Sequence, residues 1–276
     1  MAKVCRNCGG LNGDTENQCY RCGKRFPGRV TVGLSELAGR MLVTRGLVFV
    51  CLLVFGLAVA TDGTLPLAPE FGFEGRFKAS TQVRFGVLFP PFLEQEPWRL
   101  VSAVFFHYSA LHVGLNLWGL VHFGRVLEER FGWARALLIF LLGGIGGFVV
   151  STWWYGPFGP PTAGASGGVF AQLGAYMGLI AARKSPDWKD MLIQNLIYAL
   201  IMGLMLRVNT AAHFGGCAIG FGLGYLFERE RVRPLVTRAL GVLAFAGAVL
   251  SVGSVAAATQ SPEWKKVRHE ELLREA

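Results

Sequence analysis

The chain has 276 residues, of which 52% are hydrophobic and only 16% charged, with 37 glycines and a formal charge of +9. Soluble domains carry about a quarter charged residues, so this composition excludes an ordinary soluble domain, along with collagen, coiled coil, disordered tail and disulfide-rich secreted scaffold. Its Lys and Arg are scattered between long apolar runs and form no single basic face, so the charge reads as membrane topology and argues against a nucleic-acid partner.

Residues 1–28 stand apart as a polar, basic, glycine-containing module, joined by a linker at 29–45. Cys5-x-x-Cys8, ten residues, then Cys19-x-x-Cys22 make two knuckles. Four thiolates at this spacing can close a tetrahedron around zinc, and the metal would then supply most of the folding energy of so small a module. A pair of disulfides is the alternative; a reducing cytoplasmic side favours zinc. With every position filled by protein, the predicted zinc ribbon is structural or recruits a cytoplasmic protein partner. The opening residues lack the apolar core and small-residue cleavage site of a signal peptide, which predicts a cytoplasmic amino terminus.

From residue 46 the apolar runs fall at about 46–61, 105–123, 134–155, 163–182, 191–206, 209–227 and 235–258, each near the roughly 20 residues that span a bilayer. The expectation is an all-α polytopic membrane protein: a six-helix core over 46–231, then a seventh transmembrane helix and polar tail over 232–276. With the amino terminus inside, internal segments hold 18 Lys and Arg and external ones 9, as the positive-inside rule requires. An odd number of spans places the tail outside. The long external loop at 62–104 holds Phe71, Phe73, Phe77, Phe85, Phe89, Phe92 and Trp98, predicting an ordered segment at the lipid interface. Trp98 and Arg99 read as headgroup anchors, and Glu128 with Arg130 as a cytoplasmic ion pair.

Polar groups inside spans are costly, so each is a functional candidate. His112 and Asn116 are four apart and share a face of the second span. Gly164-Ala165-Ser166-Gly167 opens the fourth, and His213 sits near the start of the sixth. These three spans run from outside to inside, so all the candidates share one depth below the outer surface. Gly174 and Gly178 form one GxxxG, and Gly216, Gly220 and Gly224 a double one. Small-residue stripes let helix backbones touch, which brings His213 against Ser166, as a nucleophile and its general base require. These helices offer no carboxylate to orient His213, so the predicted unit is a Ser–His dyad. His112, Asn116 and the Ser166 backbone N–H are candidates for the oxyanion.

Gly164-x-Ser166-Gly167, His107-x4-His112-x3-Asn116, Ala212-His213-x2-Gly216-x3-Gly220, Trp98-Arg99 and Gly124-x3-Glu128-x-Arg130-x-Gly132 together resemble the rhomboid intramembrane serine proteases over about residues 98–224. The resemblance implies a six-helix catalytic bundle open to water from the outer face, with substrate helices admitted laterally past the fifth helix. It also implies Ser166 as nucleophile, His213 as base, an oxyanion hole at His112 and Asn116, and no cofactor for catalysis. One departure is Phe170, where the family commonly has a tyrosine stacked on the catalytic histidine. The expected function is cleavage of single-pass transmembrane substrates near the outer face of the bilayer. A noncatalytic rhomboid-like scaffold, binding membrane clients and recruiting partners through the ribbon, is the alternative. Intact Ser166 and His213 argue against it. Absence of a transit peptide favours a prokaryotic plasma membrane.

Overall fold

In the computed structural model the described residues are 2–4, 11–13, 16, 18–23, 41–68, 76–194, 197, 209–230 and 234–275. They fall into two compact units, Met1–Leu42 and Val43–Ala276. In the first, β1 (Ala2–Val4) pairs antiparallel with β2 (Leu11–Gly13). The Tyr20 N–H donates to Asn12 Oδ1 at 3.0 Å. Gly23, at φ +67°, turns the chain back so that its N–H reaches the Cys19 carbonyl at 2.8 Å; only glycine takes that φ without strain. Cys19 is buried and Cys22 exposed, while Cys5 and Cys8 lie outside the described residues.

The second unit is helical: α1 (Leu42–Asp62), α2 (Ala79–Arg84), α3 (Arg99–Ser102), α4 (Ala110–Phe131), α5 (Trp133–Tyr155), α6 (Ser166–Ala182), α7 (Thr210–Arg229), α8 (Pro234–Gln260) and α9 (Pro262–Glu275). Helices thus occupy six of the seven expected spans. Of the fifth, at 191–206, only 191–194 and 197 are described, and these are helical. Among the described residues, Leu42–Asp62, Trp133–Phe158 and Val236–Arg274 are long and apolar enough to cross a membrane on length and composition, and Ser166–Ala182 is a shorter apolar helix. At 22 and 20 residues, α4 and α7 are long enough to span but more polar. Their interior faces carry the buried Asn116, Glu128 and His213. Outward rows are apolar: Phe49, Leu52, Leu53 and Leu57 on α1, and Val242, Phe245 and Val249 on α8 are exposed, as lipid-facing surfaces require.

Glycine decides how the inner helices meet. A Cβ on Gly174 or Gly178 of α6 would strike the backbone of Cys217 or Phe221 in α7, and one on Gly216, Gly220 or Gly224 would strike the backbone of Gly167, Ala171 or Ala175 in α6. The two helices therefore touch backbone to backbone along their length. On α5, the run Gly143-Gly144-Ile145-Gly146-Gly147 does the same work. A Cβ at Gly143 would meet Ala171, and one at Gly147 the Ala212 carbonyl.

Three sequence expectations need correction. Glu128 does not pair with Arg130: its carboxylate accepts from the Val43 N–H (2.8 Å), the Thr44 N–H (2.9 Å) and the Thr44 hydroxyl (2.8 Å). It thereby caps the amino end of α1, whose first N–H groups have no partner within the helix. Arg130 instead makes a bidentate pair with Glu228 at 2.9 and 2.7 Å. The second correction concerns Arg99, which is fully buried. It binds Glu96 at 2.5 Å and donates to the Val83 and Val87 carbonyls at 2.9 and 3.1 Å. Burial lowers its pKa, and the charge of Glu96 works against that shift. Third, Phe77 and Phe85 turn into the protein core, each 4% exposed, because the loop folds onto α1 and the helices behind it; Phe71 and Phe73 lie outside the described residues. The tail lies with this loop. The Ser80 N–H and hydroxyl donate to Glu271 of α9 at 3.2 and 2.5 Å, and the Arg84 guanidinium stacks 4.7 Å over Trp264.

Candidate active site

Three helix amino termini converge here. Ser166 is the first residue of α6, and the segment before it is stitched to the 62–104 loop: Leu88 and Thr162 exchange backbone hydrogen bonds at 2.9 and 2.8 Å, and the Gly164 N–H donates to the Ala103 carbonyl at 2.8 Å. Gly164 has φ +123°, and a Cβ there would sit 2.8 Å from the His112 ring. Both conformation and space therefore demand glycine. His213 lies in the first turn of α7, whose cap is Asn209. The Asn209 Oδ1 accepts from the Ala212 N–H at 3.0 Å, and its Nδ2 donates to Ser151 (2.6 Å) and Thr162 (2.9 Å). One side chain thus ties α7 to α5 and to the strand-like segment leading into Ser166.

His213 Nε2 stands 2.8 Å from Ser166 Oγ. The Phe170 ring lies parallel to the imidazole, centroids 4.3 Å apart and 8° between planes. His213 is 5% exposed, and among the described residues its Nδ1 has no hydrogen-bond partner. No carboxylate there orients the ring; Phe170 flanks its face instead. Ser166 is half-buried.

His112 is held in the first turn of α4. Ser109 caps that helix by accepting from the His112 N–H at 3.1 Å, the Ala110 and Leu111 N–H groups donate to the Pro66 and Leu67 carbonyls, and the Tyr108 N–H points at His112 Nδ1 at 3.4 Å. The Asn116 amide donates one hydrogen to the His112 carbonyl at 2.9 Å, which leaves its other N–H for a second acceptor. Gly167 lies against Gly144. His107 is fully buried. Its Nδ1 faces the Phe105 carbonyl at 3.2 Å and its Nε2 accepts from the Ala165 N–H at 3.3 Å. A carbonyl can only accept, so the neutral Nδ1–H tautomer satisfies both. His122, for which the sequence offers no partner, stacks on Trp118 at 5.6 Å.

Sequence reasoning passed over Asn209 and the glycines of α5. The run Gly143 to Gly147 was a visible small-residue signal, and Asn209 stands where a helix cap is expected, just before Thr210-Ala211-Ala212. Among the described residues no group of three or more His, Cys, Asp or Glu could hold a metal ion. Cys5 and Cys8 are outside that set.

Residues 94–230 match the Rhomboid domain. RHOMBOID-like protein 5 of Arabidopsis thaliana is 34% identical over 138 residues, 48% of this chain and 45% of that protein. Rhomboid-type serine protease 2 of Emericella nidulans is 28% identical over 244 residues, 86% of this chain and 46% of that protein. Rhomboid protease GluP of Bacillus subtilis is 31% identical over 153 residues, 53% of this chain and 29% of that protein. The chain spans half or less of the length of these relatives. The matches support the rhomboid family, and with the apolar helices they support an integral membrane protein.

Proposed function

We propose that this rhomboid-domain chain is an intramembrane serine endopeptidase that cleaves transmembrane-helix substrates near the membrane face carrying the 62–104 loop. The observation that carries the reading is the 2.8 Å approach of His213 Nε2 to Ser166 Oγ, with a phenyl ring stacked on the imidazole. Unprotonated Nε2 accepts the hydroxyl proton as Oγ attacks the scissile carbonyl carbon. The C–O bond forms, the carbonyl π pair moves to oxygen, and the tetrahedral oxyanion is met by the Ser166 N–H, His112 and the free N–H of Asn116. Its collapse breaks the C–N bond, and His213 returns the proton to the leaving amine. Water then repeats the sequence on the acyl-enzyme, with His213 again as base, releasing the carboxyl product and restoring Ser166. No metal or cofactor enters these steps.

A helix hides its carbonyls in its own hydrogen bonds, so the substrate must unwind at the cleaved bond, and small or helix-breaking residues there favour cleavage. The expected lateral entry past the fifth helix falls on a span, 191–206, of which 191–194 and 197 are the described residues. Six helices of the core and a seventh span, the amino terminus cytoplasmic and the membrane a prokaryotic plasma membrane, complete the proposal.

The test is reaction of the detergent-purified protein with a fluorophosphonate probe, followed by mass spectrometry. An adduct on Ser166, absent in Ser166→Ala and His213→Ala, is expected. Labelling that persists in His213→Ala, or that falls on another residue, refutes the dyad.

For the amino-terminal unit we propose a structural zinc ion held by Cys5, Cys8, Cys19 and Cys22, with the ribbon serving as a contact surface for a cytoplasmic protein. The support is the paired knuckle spacing. Replacing Cys19 and Cys22 with serine should take bound zinc, measured by plasma mass spectrometry, from one equivalent to none. Zinc that stays stoichiometric overturns the assignment.

A further inference from the structure

A polar cavity, apart from Ser166 and His213, opens where the end of α1, the short α2 and α9 meet. Its volume is about 230 Å³, and Asp62, Lys78, Ser80, Arg84, Trp264 and Arg268 are among its walls. That is several times the ~30 Å³ share of one liquid water.

The polar groups here do not satisfy one another. Asp62 Oδ2 accepts from the Lys78 N–H at 2.9 Å, but Oδ1 is buried and, among the described residues, receives no hydrogen bond. Arg84 lies over Trp264 with its Nε buried and likewise unbonded. Arg268 Nη1 is 3.5 Å from Glu271 Oε2 without hydrogen-bond geometry, while Glu271 is occupied by the Ser80 N–H and hydroxyl. Cationic donors and one carboxylate oxygen are therefore held in the same walls, each short of a partner. Such groups are costly to bury unfilled. A ligand that completes the set carries an anion at one end and a hydrogen-bond donor at the other.

Depth narrows the choice. Asp62 ends a helix of 21 residues, about 31 Å long at 1.5 Å per residue, which matches the hydrocarbon thickness and puts the cavity at headgroup level. Trp264 is the residue type enriched there. Leu65 and Leu67 beyond α1, and Leu272 and Leu273 on α9, are exposed and available to acyl chains.

We propose that this cavity binds a phospholipid headgroup, its phosphate toward Lys78, Arg84 and Arg268 and its donor, the ammonium of an ethanolamine, toward Asp62 Oδ1. The ligand chemistry is a phosphate ester bearing an N–H donor. It clips α9 to the loop end of α1.

The test is thermal unfolding of the full chain in a maltoside detergent, titrated separately with phosphatidylethanolamine, phosphatidylcholine and soluble phosphoethanolamine. Phosphatidylethanolamine should raise the midpoint saturably at concentrations at least tenfold below those phosphatidylcholine needs, since a quaternary ammonium has no donor for Asp62. Arg84→Gln with Arg268→Gln should weaken that response at least tenfold. Lys78→Gln changes an exposed side chain that makes no hydrogen bond or ion pair among the described residues, and should weaken it severalfold in a protein with an unaltered ligand-free midpoint. Asp62→Asn should abolish the preference between the two lipids. Phosphoethanolamine protecting as well as the lipid, with the same dependence on Arg84, supports the site and makes the soluble headgroup sufficient. Equal protection by both lipids in the parent, or titrations unchanged by Lys78→Gln and by the double substitution, overturns the proposal.

Discussion

Gly220→Ala tests whether backbone contact between α6 and α7 is what sets the Ser166–His213 distance. A methyl at Gly220 would stand 2.5 Å from the Ala171 carbonyl carbon and 2.6 Å from its Cα, with the Ala171 oxygen nearer still. All three are backbone atoms, so no rotamer relieves the clash. Restoring carbon contacts of ~3.5 Å requires the helices to part by about 1 Å. His213 is seven residues, two turns, before Gly220, so it lies on the same stripe about 10 Å up the axis. The 2.8 Å hydrogen bond to Ser166 spans the same interface, and opening by half of that shift takes it to about 3.3 Å, just past the ~3.2 Å edge of useful geometry. Alanine gains up to ~1 kcal/mol in helix propensity over glycine, against ~1–3 kcal/mol for overpacking. Stability should fall modestly, while a displacement of this size at reacting groups costs on the order of 10²-fold in rate. The control is Gly222→Ala on the same helix, where a Cβ meets nothing within 4 Å. With a fluorogenic transmembrane peptide, Gly220→Ala should lose about two orders of magnitude in kcat/KM and Gly222→Ala none. Normal turnover by Gly220→Ala, or equal loss in both, refutes the reasoning.

Phe170→Ala removes the ring stacked 4.3 Å from the His213 imidazole. An aromatic pair worth ~0.5–1.5 kcal/mol corresponds to a drop of a few-fold to about tenfold in fluorophosphonate labelling rate, and Phe170→Tyr should retain the parent rate; a Phe170→Ala protein labelled at full speed contradicts this role. Glu128→Ala strips the cap from α1 and leaves the Val43 and Thr44 N–H groups without their acceptor. At ~1–3 kcal/mol for buried unsatisfied groups, and ~2–4 °C per kcal/mol at this size, the unfolding midpoint should fall by roughly 2–12 °C while Ser166 labelling at 25 °C persists. An unchanged midpoint would mean the cap carries no stability.

The helices of this fold were readable because their apolar runs are local, and the meeting of Ser166 with His213 was readable because the Gly174 and Gly216 stripes announce a close approach. What escaped depends on partners far along the chain. Nothing near Glu128 in sequence says that its carboxylate caps a helix through Val43, 85 residues earlier. An arginine in an aromatic loop reads as a headgroup anchor, and Arg99 is drawn inside because Glu96 and two carbonyls from residues 83 and 87 meet its guanidinium. Asn209 opens the sixth apolar run, after a gap of two residues from the fifth, and its place there hid its role as a cap. The loop aromatics misled for a related reason: Phe77 and Phe85 have the composition of an interface but are covered by protein, and composition does not distinguish the two kinds of apolar surroundings.

Glu96 and Arg99 are separated from Ser261 by more than 160 residues, yet the Ser261 hydroxyl donates to Glu96 and lies 3.5 Å from Arg99. A ribosome delivers that hydroxyl long after it has delivered Glu96 and Arg99. Until residue 261 is made, Glu96 and Arg99 have each other, the Phe92 ring and the neighbouring carbonyls, and the turn between α8 and α9 then completes their burial. The order of translation therefore makes the loop beside Ser166 and His213 wait for α8 before it can set, and a chain cut short before residue 261 would carry those two residues in a bundle whose 62–104 loop is missing its closing contact.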